Sequence, residues 1–144
     1  MWRGLITSFL DNCKFTDPTT EKDVLIVEQT LGVKLPLDLK GLLFETNGVI
    51  GDYGSQLIWN LTRIRNDNLE FRNSKMFKEI YMPFDHLLFF ADAGNGDQFA
   101  YSIIDASVRK DDIYVWNHED DSRIWVAPSL EKYLEWWIKG KIKI

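Results

Sequence analysis

Apolar residues recur every three or four positions near the start of the chain. Trp2, Leu5, Ile6, Phe9, Leu10 and Cys13 fall on one face, so the spacing predicts a helix over residues 2–14. "TDPTTEKD" interrupts it, because Pro18 has no N–H to donate and Thr and Asp favour caps and turns. Thr20 with Asp23 resembles a capping box, with Asp in place of the usual Glu or Gln, and Val24, Val27 and Leu31 supply the stripe of a second helix that Gly32 closes. Pro36 fits the first position of a third helix. Leu39, Leu42, Leu43 and Phe44 form its buried stripe, and Asn47-Gly48 ends it.

"QLIWN" reads as a short strand. Residues 62–84 are charged, with apolar positions at Ile64, Leu69, Phe71, Met76 and Phe77, and fit either a helix or a long excursion. From residue 86 the period shortens. "HLLFFA" is a continuous apolar run, as in a strand covered on both faces, while "QFAYSI" alternates, placing Phe99, Tyr101 and Ile103 on one side. "DIYVW" and "SRIWVA" read as two more strands joined by the polar loop "NHEDD". Ser129 caps a last helix striped by Leu130, Tyr133, Leu134, Trp137 and Ile138, with lysines following where the helix dipole favours cations. Helices followed by a run of strands, with no repeat or linker, predict one α+β domain over residues 1–144, its helices packed around an antiparallel sheet.

Composition narrows the classes. The 144 residues are 45% hydrophobic and 27% charged, as in globular domains rather than disordered ones. A net charge of -5 argues against nucleic acid and favours a basic partner. Six Trp exceed what such a core requires, so each one either fills the core or contacts a partner. The single cysteine, Cys13, precludes an internal disulfide or a multi-cysteine zinc site and suits a reducing compartment. The N-terminal segment is a poor signal peptide, and no apolar run is long enough to span a bilayer, so a cytoplasmic protein without membrane contact is expected.

Two loops invite a chemical reading. "DAGNGD" lacks the Lys and Ser/Thr of a phosphate loop and the distal Glu of a calcium loop, despite Asp92, Asn95 and Asp97. Its Asn95-Gly96 pair predicts a tight hairpin in which both residues take positive φ. Around "NHEDD", the residues Asp111, Asp112, His118 and Glu119 would be the parts of a small metal-dependent hydrolase. The competing reading is a solvated acidic loop. His86 and His118 have no zinc-binding spacing, and Cys13, on the apolar face of the first helix, is expected to be an inert thiol. No motif specifies an enzyme, and neither a metal nor a cofactor is expected.

"VEQTLGVKLPLDLKGLLFETNG" carries more information. Its Glu28, Leu31-Gly32, Leu35-Pro36 and Asn47-Gly48 resemble the opening signature of the SUKH superfamily, also called the Smi1/Knr4 family. Gly96-Asp97 before an aromatic strand, Val115-Trp116-Asn117-His118-Glu119, and the closing "APSLEKYLEWW" are similar to its later elements. Leu39 departs from the pattern, standing where an aromatic residue is frequent. The resemblance implies an α+β fold. For stand-alone bacterial members it implies an immunity role, binding and neutralising a cognate polymorphic toxin, and for fungal members a regulatory interaction scaffold. Partner choice should then rest on exposed residues outside the signature. The candidate face is acidic and aromatic: Asp111, Asp112, Trp116, Glu119, Asp120 and Asp121, with Asp52, Tyr53 and Trp59, and Trp125 as a further anchor.

Overall fold

The computed structural model describes residues 1–144. Helix α1, Trp2–Phe9, begins where the carboxylate of Glu45 accepts from the backbone N–H groups of Trp2 and Arg3, at 3.0 and 3.1 Å, and from the terminal ammonium at 3.1 Å. These are donors that have no partner inside a helix. The helix is shorter than the periodicity predicts. Leu10 drops to extended backbone, and the chain turns into β1, Lys14–Phe15, so Cys13 lies half-buried in the turn rather than on a helical face.

Helix α2, Glu21–Leu31, starts with the Thr20 hydroxyl accepting from Asp23 N–H at 3.1 Å and ends at Gly32 with φ 69°. Helix α3, Leu37–Leu43, begins one residue later than expected, with Pro36 as its extended N-cap. Strand β2, Val49–Ile50, a 3₁₀ turn at Asp52–Gly54 and β3, Gln56–Ile58, complete an antiparallel sheet ordered β1-β2-β3.

The ambiguous segment forms two helices, α4 at Leu61–Asn73 and α5 at Lys75–Ile80. Ser74 ends the first and caps the second, its hydroxyl accepting from Phe77 N–H at 3.3 Å. Polar residues occupy the inner stripe of α4. Asn68 is buried beside Leu61 and Ile64, donating to Phe89 O at 2.9 Å and accepting from Phe89 N–H at 2.9 Å. Arg72 donates to Leu31 O at 2.9 Å.

A second antiparallel sheet follows in sequence order: β4 at Leu87–Asp92, β5 at Gln98–Ser102, β6 at Ile113–Trp116 and β7 at Arg123–Ala127, before α6 at Leu130–Ile138. The strands are therefore divided between two sheets rather than gathered in one. Trp59 N–H donates to Phe90 O at 2.8 Å, joining the end of β3 to β4. One face of the larger sheet packs on α4 and α5, with Phe71 against Phe89 and Trp116 at ring distances of 5.0 and 5.4 Å. The other packs on α6, with Tyr133 against Phe90 and Phe99 at 5.2 and 4.8 Å. Covering both faces explains why Gln98 and Ala100 are buried along with Phe99 and Tyr101, although the sequence alternates. One cluster of 34 buried apolar residues contains contributions from both sheets.

Candidate partner-binding surface

At one end of the larger sheet, the β4–β5 and β6–β7 connections meet. Residues 93–97 close the first hairpin through Ala93 N–H to Asp97 O at 2.9 Å. The positive φ angles fall on Gly94, 86°, and Gly96, 103°, and not on Asn95. The turn is thus wider than the predicted Asn-Gly pair, because the Asn95 side chain is used locally, accepting from Asp97 N–H at 3.0 Å. Asp97 is buried, and its Oδ1 accepts from His118 N–H at 3.1 Å and lies 2.7 Å from His118 Nδ1. Because a carboxylate only accepts, Nδ1 carries the hydrogen of that bond. A Cβ added at Gly96 would sit 2.9 Å from the imidazole, so the glycine makes room for the ring.

Asp121 is also held in place. Its Oδ1 accepts from Trp116 Nε1 at 2.7 Å and from Arg123 at 2.9 Å, and its Oδ2 accepts from Met82 N–H at 2.8 Å. Burial pushes its pKa up, but these hydrogen bonds prevail and hold it below the usual carboxylate range. Arg123 further donates to Met82 O and Pro83 O, both at 2.9 Å, and its Nη1 lies 2.7 Å from His86 Nε2. Arginine has no acceptor, so that imidazole nitrogen accepts.

The expected acidic face is divided among three places. Asp111 and Asp112 precede β6, near the start of α6. There Asp38 has a raised pKa, first from burial and then from the charges of Asp111 and Glu131. Glu119 and Asp120 are exposed beyond the other end of β6. Asp52 and Tyr53 occupy the exposed 3₁₀ turn, in a depression shared by Asp52 with Trp137 and Ile138 at the end of α6. Since β6 lies between them, Asp111 and Asp112 do not converge with His118 and Glu119, and no group of three or more His, Cys, Asp or Glu side chains has the geometry to hold a metal ion.

Two tryptophans must be removed from that face. Trp59 is fully buried, its indole donating to Asp92 at 2.9 Å beneath the Arg63 guanidinium, 4.2 Å from the ring centroid. Trp116 is 3% exposed and packs edge-on against Phe71, Tyr81 and Phe84. Both rings lie where neighbouring elements cover them, and each indole N–H has a carboxylate partner there, so the large ring is buried without an unpaired donor. The tryptophan at the surface is Trp125, 47% exposed beside Ile124 at 57%, with its Nε1 donating to Asp112 at 2.9 Å.

The profile of the SUKH_6 family, described as SMI1-KNR4 cell-wall, matches residues 21–134. The chain belongs to this family. No curated protein sequence matches it. In this SUKH domain the signature residues have structural duties. Glu28 Oε2 accepts from Leu35 N–H at 2.7 Å and pairs with Lys40 at 3.2 Å, fixing the loop between α2 and α3. Asn47 Oδ1 accepts from Leu61 N–H at 2.8 Å at the start of α4. A Cβ at Gly48, whose φ is 99°, would sit 3.0 Å from Asn60 N. The Gly-Asp and His-Glu steps are joined by the Asp97–His118 bond. Ile124 and Glu131 lie outside the residues that the sequence singles out, and Asp38 belongs to the signature stretch. The signal available for Ile124 was an apolar pair at adjacent positions in a strand, which places one apolar side chain on each face.

Proposed function

We propose that this SUKH domain is an immunity protein that binds a cognate toxin domain in the cytoplasm of the producing cell and neutralises it without catalysis. The observation that carries this reading is how the surface is divided. Most signature residues are absorbed by caps, close backbone approaches and the Asp97–His118 bond, while the exposed acidic and apolar side chains lie outside them, at Asp52, Tyr53, Asp111, Asp120, Ile124 and Trp125, with Glu119 the one signature residue that stands exposed beside them. Family membership supports a role in protein interaction, and the acidic balance suits a basic partner. A toxin with a basic substrate channel would be blocked by carboxylates standing where substrate phosphates bind.

The test is co-expression with the polymorphic toxin encoded beside the gene. Growth rescue that saturates at one chain per toxin molecule, together with co-purification, is the expected result. Absence of both sinks the reading. The family description refers to the cell wall, which favours a second reading as a regulatory interaction scaffold. Capture of endogenous signalling proteins, with no toxin gene adjacent, would select that alternative.

A further inference from the structure

The larger sheet leaves one strand edge open. β7 pairs with β6 on one side, and no hydrogen bond outside that ladder engages the backbone of residues 123–127. The opposite edge of the sheet, β4, is joined to β3 through Trp59 and Phe90. An unpaired edge is a template for another strand, and native proteins blunt such edges with charges, proline or bulges. Here the blunting is confined to Arg123 at one end, Pro128 just past the other and the register shift at Val126, where Ile113 pairs with Ala127 and Tyr114 with Trp125. The middle of the strand instead exposes Ile124 and Trp125, adjacent residues that project from opposite faces. The Asp112 carboxylate holds the Trp125 indole N–H at 2.9 Å.

Charge is arranged about the same edge. Antiparallel pairing sets Asp111 and Asp112 beside the Ala127 end of β7 and Glu119 and Asp120 beyond the Arg123 end. Arg123 itself is committed to Asp121, Met82, Pro83 and His86. At the first end Asp38 and Glu131 add carboxylates, while of the nearby cations Lys40, Arg109 and Lys132 are paired with Glu28, Asp105 and Glu135, which leaves Lys110 beside Asp111. A strand of five residues is roughly 17 Å long. Two acidic ends separated by an apolar strand do not resemble the focused patch that a compact basic knob requires.

We propose that β7 receives an extended, cationic segment of the toxin domain by antiparallel or parallel strand addition. Branched or aromatic side chains of that segment contact Ile124 and Trp125, and lysine or arginine at each end meets Asp111 and Asp112 or Glu119 and Asp120. This rests on the protein-binding reading above and specifies its mode. A second copy of this chain is disfavoured as the occupant, because antiparallel pairing of two β7 strands sets each acidic end against the other molecule's acidic end.

The probe is a capped peptide of alternating valine and threonine with lysine pairs at both ends, titrated into the full chain by backbone amide NMR. The expected result is shifts concentrated at residues 123–127, weakened about ten-fold when glutamates replace the lysines and weakened by added salt. The exposed-site variant Ile124→Lys should keep its fold and lose the response. Shifts elsewhere, no shifts, or equal response to both peptides overturn the proposal, as does a dimer in solution with residues 123–127 already protected from exchange. In the toxin complex those amides should become protected. Neutralisation without that protection sinks strand addition alone, whereas peptide binding at β7 without toxin rescue sinks the immunity reading alone.

Discussion

Asp97 and His118, separated by 21 positions in sequence, are joined twice: the aspartate Oδ1 accepts from the histidine backbone at 3.1 Å and meets its Nδ1 at 2.7 Å. The bond ties the β4–β5 turn to the β6–β7 connection and fixes the loop that presents Glu119 and Asp120. Gly96 belongs to the same unit, because only a residue without Cβ leaves the imidazole its place.

Gly96→Ala should therefore destabilise the fold by about 1–3 kcal/mol through positive-φ strain and the clash with His118. Gly94→Ala meets open space and should show the backbone strain alone, of about 1 kcal/mol. Urea unfolding of both variants checks the order. Equal losses would mean that the ring moves aside freely.

The tryptophans should separate into two groups. Trp59→Ala creates a buried cavity and leaves Asp92 without its indole partner, with an expected loss of about 3–5 kcal/mol. Trp125→Ala should change stability by less than about 1 kcal/mol but weaken partner binding at least ten-fold, measured by calorimetry on the same samples.

Acid should weaken the fold in two steps. Burial, followed by the Arg123 charge, holds the His86 pKa below its ordinary 6.5, so the folded state binds fewer protons than the unfolded one. That contribution is complete above pH 6.5 and is lost as pH falls through the lower folded value. Asp121 follows the same sign at lower pH, complete above its ordinary 3.8 and lost as pH falls through its depressed value. Urea midpoints should fall below neutrality, His86→Gln should flatten the first decline, and Asp121→Asn the second.

Cys13 should react slowly with thiol reagents at neutral pH. Burial, and then the Asp52 charge, raise its pKa, which lowers the thiolate fraction. Asp52→Asn should speed modification modestly in a timed alkylation. A rate equal to that of a free thiol would contradict this assignment.

Tyr53 stands fully exposed with φ 56° and ψ 30°, a left-handed conformation costly for a large residue. Tyr53→Asn should gain about 0.5–1 kcal/mol of stability, read as a rise in melting temperature, because Asn tolerates that region. A simultaneous loss of partner affinity would place the tyrosine in the contact surface.

Much of the fold was legible because its cues are local. Gly32 at a helix end, Thr20 and Ser129 at helix starts and the apolar run of β4 are each read within a few residues. The segment 62–84 resisted because Asn68 and Arg72 occupy positions where an apolar stripe is expected, satisfied by carbonyls distant in sequence. The site was less legible. Whether Trp59, Trp116 or Trp125 faces water depends on which carboxylate reaches its indole, and on whether helices cover the strand around it. The division of the acidic residues by β6 was concealed because the tally of charge carries no direction.

The same division affects how such a protein can diversify. Each acidic cluster is anchored to a different end of one core ladder, so sequence can drift at residues 110–112 without disturbing 119–120, and the reverse. Under the strand-addition proposal, contacts at one end of β7 can thus change while those at the other end are kept.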